Sequence, residues 1–275
     1  MLHSIFFLGY IHKPTLAPQR FFQNPEIIKD LTEIFPGPFE KYRSHVPTRT
    51  PFSILLDMMK IIYRTEEKII AELSILLKNL GFPPHLHRSG NKYEEFYTLE
   101  STVICVCYSD SDPQRYYGAS LSCRRGNAKR IMIDVSCLKT WHEKVSHAVM
   151  SFYPQGPGDG ITFPESVKCQ AYIRDSNGYK KRNPCSKCHE LFKLKNADPN
   201  KVDHPYGNCA EAECLSKLLI KNQDVQENTL IENHTEENLQ NLRHSTKARL
   251  IEQLQQIGIQ INNNHFHFYS TETHR

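Results

Sequence analysis

The sequence predicts an α/β fold with a helical N-terminal extension. Three observations carry that expectation. Apolar residues recur at helical spacing through about the first ninety positions, the period becomes strand-like from about Thr98, and helical spacing returns between and after the strands. The 275 residues, 39% hydrophobic and 23% charged, suffice for a buried core and exclude fibrous and collagen-like classes. The expected organisation is a helical extension over 1–95 and an α/β domain over 96–275.

Each element has its own signal. A short helix is expected around Pro25–Ile34, separated by the Pro36-Gly37-Pro38 break from a second apolar segment, Phe52–Tyr63. The clearest helix spans Glu66 to Leu80. Thr65 is its N-cap, Glu66 and Glu67 put carboxylates in its first turn, and Ile69, Ile70, Leu73, Leu76, Leu77 and Leu80 follow at helical spacing. Gly81 and Pro83-Pro84 supply the stop. Ser101–Tyr108 and Arg115–Cys123 read as a hairpin around the turn Asp110-Ser111-Asp112-Pro113. Arg130–Val135 reads as a third strand, and Leu138–Met150 as a helix with Trp141 in the core and His142 at the surface. The run Tyr153–Gly160 is a loop, Glu165–Arg174 a further strand, and Asp175-Ser176-Asn177-Gly178 a turn. Residues 222–244, rich in Asn, Gln and Glu, predict a loop or linker. Ser245 is then expected to cap a helix carrying Leu250, Ile251, Leu254 and Ile257, ended by Gly258, and His265–Tyr269 reads as a strand that rejoins the domain.

Charge excludes little: 34 basic against 30 acidic residues leave a net +4, which neither demands nor forbids a polyanionic partner. The apolar run in Met1–Tyr10 is too short for a signal sequence, and Ile54–Tyr63 is interrupted by Asp57 and Lys60. The expectation is therefore an intracellular protein, cytoplasmic or nuclear, with no membrane association. In that setting nine cysteines argue for thiols and metal ligands over a disulfide framework. Cys105, Cys107, Cys123, Cys137 and Cys169 lie singly in apolar, strand-like stretches and read as small buried hydrophobes.

The other four cysteines are placed differently. Pro184-Cys185-Ser186-Lys187-Cys188 follows a strand and a turn and opens a helix, where free N–H groups and the helix dipole favour thiolates. Twenty residues on, Gly207-Asn208 breaks the chain before Cys209-Ala210-Glu211-Ala212-Glu213-Cys214, which opens a second helix with Ala212, Leu215, Leu218 and Leu219 available for burial. Glu211 in that first turn can lie beside a metal held by Cys209 without ligating it.

These two motifs resemble the signature of the zinc-dependent nucleoside and nucleobase deaminases of the cytidine deaminase superfamily, in which a His or Cys, one residue and a Glu are paired with P-C-x-x-C. Here they stand in permuted order, with P-C-x-x-C first. The resemblance implies a mixed sheet flanked by helices, zinc held by Cys185, Cys188 and Cys209, and Glu211 as the proton carrier. It also implies a nucleobase, nucleoside or single-stranded nucleic acid as substrate.

A different class of function uses the same residues. Cys185, Cys188, Cys209 and Cys214 approximate a closed four-ligand structural zinc site, as in a non-enzymatic interaction module or an inactive deaminase-like scaffold. Against Cys214, positions five apart on a helix share a face poorly, and Glu213 is the position that faces with Cys209. His189 and His204 are alternative fourth ligands. Lys180-Lys181-Arg182 is a basic turn placed to approach phosphate, and His265 with His267 read as solvated.

Overall fold

A computed structural model describes residues 1–22, 24–79, 99–123, 126–153, 158–175, 178–198, 204–259, 261 and 265–270. The predicted stop at Gly81 and Pro83-Pro84, and Ser176-Asn177 of the predicted turn, lie outside them.

A four-stranded sheet organises the molecule. Its strands are β2 (Val103–Ser109), β3 (Asp112–Ala119), β5 (Val167–Asp175) and β6 (Gly178–Arg182), in the order β3-β2-β5-β6. All its pairings are antiparallel, where the resemblance implied a mixed sheet. The β2–β3 hairpin forms as expected but turns more tightly, so that Asp112 and Pro113 already belong to β3 and the strand ends at Ala119, before Cys123. Both faces of β2 are covered, which explains its near-continuous apolar run. Ile104 and Val106 point to one side, and Cys105 and Cys107 to the other.

On the Ile104 side lie α4 (Pro51–Tyr63) and α5 (Glu66–Asn79). Phe52, Leu56, Ile69, Leu73 and Leu77 pack there on Tyr117 and Tyr172. Thr65 Oγ1 accepts from Lys68 N at 3.4 Å, as an N-cap should. On the Cys105 side α9 (Ala210–Lys221) crosses β2 and β3 with Ala210–Ser216 all buried. Beside it stands α7 (Glu143–Phe152), and α8 (Ser186–Phe192) packs on α7.

Around this centre, α1 (Leu2–Tyr10) packs on α3 (Pro36–Lys41) and α4, and α2 (Pro25–Ile34) lies against α3. The proline break is thus also a helix start: Pro36 needs no N–H at a first helical position. Phe7 and Leu8 of α1 share a second core with α6 (Gly126–Lys139) and α11 (Glu236–Gln256). The tail does return: β8 (His267–Phe268) pairs in parallel with β1 (His45–Val46).

Several expectations are overturned. Arg130–Val135 is helical, inside α6, so Cys137 also sits on a helix. Ile131, Met132 and Val135 enter one core while Ile133 and Cys137 enter the other, and a short run buried on two sides hides its period. The expected helix over Leu138–Met150 is two, α6 and α7, broken at Thr140–His142. Trp141 packs half-buried in that break, and His142 is the half-buried N-cap of α7, accepting from Lys144 N at 3.2 Å.

Residues 222–244 are not a linker. They hold α10 (Gln223–Asn228), β7 (Leu230–Ile231), paired with β4 (Ile161–Thr162), and the start of α11. Asn222 caps α10, Thr235 caps α11, and Ser245 lies within α11, exposed. Val225 and Leu239 suffice to anchor the segment because each is fully buried in the main core. No helix among the described residues is long and apolar enough to cross a membrane.

Candidate metal centre

Two helix starts converge on one point. Cys185 is the N-cap of α8 and Cys209 the N-cap of α9, each with extended backbone, while Cys188 and Glu211 lie in the first turns that follow. Gly207, at φ +84°, makes the turn before Cys209, and a Cβ there would stand 2.7 Å from Val149 Cγ1, so the turn admits only glycine without rearrangement. Cys185 Sγ lies 3.6 Å from Cys188 Sγ and 3.4 Å from Cys209 Sγ. Sulfurs bound to one tetrahedral zinc at about 2.3 Å stand about 3.8 Å apart. The donors therefore fit zinc closely: soft ligands, short separations, and two helix dipoles that favour negative charge.

The thiols already behave as a unit. Hydrogen bonds from Cys188 and Cys209 hold Cys185 far below the usual thiol range, and the same contacts push Cys188 and Cys209 well above it. A cation bound here would displace thiol protons.

Glu211 belongs to the same cluster: a carboxylate oxygen and the sulfurs of Cys188 and Cys209 all lie within 4.8 Å of one another. Burial pushes Glu211 up to about 7, with Coulombic repulsion from Cys169 and Cys185 adding to it and hydrogen bonds from its own N–H and from Cys188 opposing it. All four predicted site residues, Cys185, Cys188, Cys209 and Glu211, are brought together.

The candidates for a closing ligand separate. Cys214 points to the sheet and donates its thiol to Tyr116 O at 3.1 Å. His189 is exposed and donates from Nδ1 to Leu194 O at 2.7 Å. His204 is near, with Nε2 at 3.7 Å and Nδ1 at 3.9 Å from Cys209 Sγ, and forms a metal-competent group with Cys185 and Cys209.

Glu213 does not face the site with Cys209 as the spacing suggested. Two positions along a helix from Glu211, it points away, into a network that fixes α9 against α4 and β3. Its Oε1 accepts from Ser53 Oγ, from Lys217 Nζ at 2.9 Å and from Arg49 at 3.2 Å, while Oε2 accepts from Ala119 N at 3.0 Å. Asp57 completes it, 2.6 Å from Arg49 and 2.7 Å from Lys217. Gly118 adds to this seat, because a Cβ there would lie 2.3 Å from Ala210 O and 2.5 Å from Cys214 N.

A cleft of about 590 Å³ lies beside the centre, within the usual size of a ligand pocket. Asn183 and Pro184, which lead into Cys185, form part of its wall, with Tyr108, Phe163 and the basic residues Lys168, Arg182, Lys193 and Lys195. Lys180 and Arg182 of the basic segment are paired, with Asp175 at 2.7 Å and Asp198 at 3.6 Å.

Comparison of the chain with family models, with curated proteins and with solved structures gives no match. The deaminase resemblance accordingly rests on the motif residues themselves.

Sequence reasoning missed a second cluster. Cys105, Cys107 and Cys169, each taken as an isolated buried hydrophobe, bring their sulfurs within 4.8 Å of one another. The signal was present in part: cysteines two apart on a strand share a face. That β5 would bring Cys169 opposite Cys107 depended on strand pairing.

Proposed function

We propose that the protein is a zinc-dependent hydrolase of deaminase type acting on a nucleobase, either free or carried by a nucleoside or single-stranded nucleic acid. Cys185, Cys188 and Cys209 would hold the ion, leaving a position open to water. The reading is carried by Glu211: a buried carboxyl beside two of the three thiols is superfluous in a structural zinc site and required in a hydrolytic one. When bound, zinc supplies a Lewis acid that makes water a nucleophile near neutral pH. Glu211 Oε would pass the first proton of the water to the ring nitrogen as the C–O bond forms, and would then carry the second, from the added hydroxyl, to the amine, which leaves as ammonia when the C–N bond breaks. The aromatic and basic wall of the neighbouring cleft suits a planar base carrying phosphate.

A second reading keeps the metal and discards the chemistry. His204 would complete a closed Cys3His site that only braces the meeting of α8 and α9. Glu211→Gln and His204→Ala separate the two, assayed for zinc content and for ammonia release from cytosine and adenine as bases, nucleosides and single-stranded oligonucleotides. The deaminase reading expects Glu211→Gln to keep its zinc and lose about 10²–10⁴-fold in turnover, with His204→Ala still loaded. Zinc lost from His204→Ala, together with a wild type inert on every substrate, establishes the closed site instead.

A further inference from the structure

Cys105, Cys107 and Cys169 are closer than packed thiols should be. Cys169 Sγ lies 3.2 Å from Cys105 Sγ and 3.3 Å from Cys107 Sγ, and Cys105 and Cys107 are 3.8 Å apart. Unbonded carbon atoms rest about 3.5–4.0 Å apart and sulfur is larger, so two of these contacts are too short for simple hydrophobic packing. A disulfide does not account for them either. It would draw Cys169 to one partner at about 2.05 Å and release the other, whereas Cys169 approaches both almost equally.

A shared centre does account for them. The three sulfurs form a triangle about 2.0 Å from centre to corner, so an ion about 2.3 Å from each would stand about 1.1 Å out of their plane. That is a pyramid with a fourth apex, which four-coordinate zinc fits once the two shorter separations spread toward about 3.8 Å. Cys214 descends from α9 onto the same face of the sheet, where its thiol donates to the carbonyl of Tyr116, the register partner of Cys107, at 3.1 Å.

We infer that the sheet carries a second zinc site, with Cys105, Cys107 and Cys169 as thiolate ligands. On binding, three S–Zn bonds form and three thiol protons pass to solvent. The ion pins β2 to β5 on the face that α9 covers, a few residues from the Glu211 end of that helix. This site is independent of whether the first one is catalytic.

The test is zinc per chain, measured on the full-length wild type and on Cys169→Ser and Cys209→Ser after dialysis against zinc-free buffer. The expected result is about two zinc ions for the wild type and about one for each variant. A wild type with about one zinc, lost in Cys209→Ser and kept in Cys169→Ser, overturns the second site and leaves the first standing. One zinc lost in Cys169→Ser and kept in Cys209→Ser does the reverse. A wild-type count of about two upholds the second site even if a variant fails to fold, a count of zero overturns it, and a single zinc accompanied by two missing free thiols would replace the proposed ion with a disulfide.

Discussion

Glu211 and Glu213 stand two positions apart on one helix and are 4% and 6% exposed, yet they titrate in opposite directions. Burial raises both carboxyls; what differs is the company. Around Glu213, Lys217 and Arg49 overcome the burial and hold the carboxyl below its usual range. Around Glu211, Coulombic repulsion from Cys169 and Cys185 adds to the burial, and the hydrogen bonds from its own N–H and from Cys188 do not offset it. One side of α9 is thus an anchor and the other is poised to exchange a proton near neutrality, which is how an acid–base group and its support are kept apart on a single turn.

The contrast breaks most sharply on substitution. Glu213→Ala removes one of the two carboxylates that hold Arg49 and Lys217, and urea unfolding should show a loss below the about 3–5 kcal/mol of a fully broken buried pair, since Asp57 still pairs both cations. Glu211→Gln, which removes a charge that the fold disfavours, should cost far less; equal losses would erase the distinction drawn between them. Gly118→Ala forces a methyl onto the backbone of α9, and about 1–3 kcal/mol of overpacking should appear as a lowered melting temperature.

The smallest effect is in pH. Because the folded value of Glu213 lies below its unfolded value of about 4.5, its stabilisation is complete above about pH 4.5 and is lost as the pH falls through the folded value. Glu213→Gln should therefore be less stable than wild type at pH 7 and converge with it in acid. Parallel stability curves from pH 7 to pH 2 would remove the proposed role of the carboxylate charge.

Local chemistry was legible. The Pro184 and Gly207-Asn208 breaks place Cys185 and Cys209 at helix starts, Thr65 caps α5, and two strand-like runs around the Asp110–Pro113 turn mark the hairpin, because each depends on neighbours within a few residues. The capping signals at Asn222 and Thr235 were equally local and were outweighed by the polar composition around them. Arg130–Val135 could not be read correctly from its own residues, since burial against two cores removes the polar face that would reveal a helical period.

Sequence by itself therefore determined the donor types, their spacing within each motif and the helix starts that favour thiolates. Only tertiary structure decided which donors meet. It set Cys185, Cys188, Cys209 and Glu211 together, turned Cys214 toward the sheet, and drew Cys105, Cys107 and Cys169 into one cluster across paired strands. The physical reason is that backbone preference acts over one turn of chain, whereas the seat of Glu213 on Arg49 and Ser53 and the partner of Cys169 follow from groups more than sixty residues away.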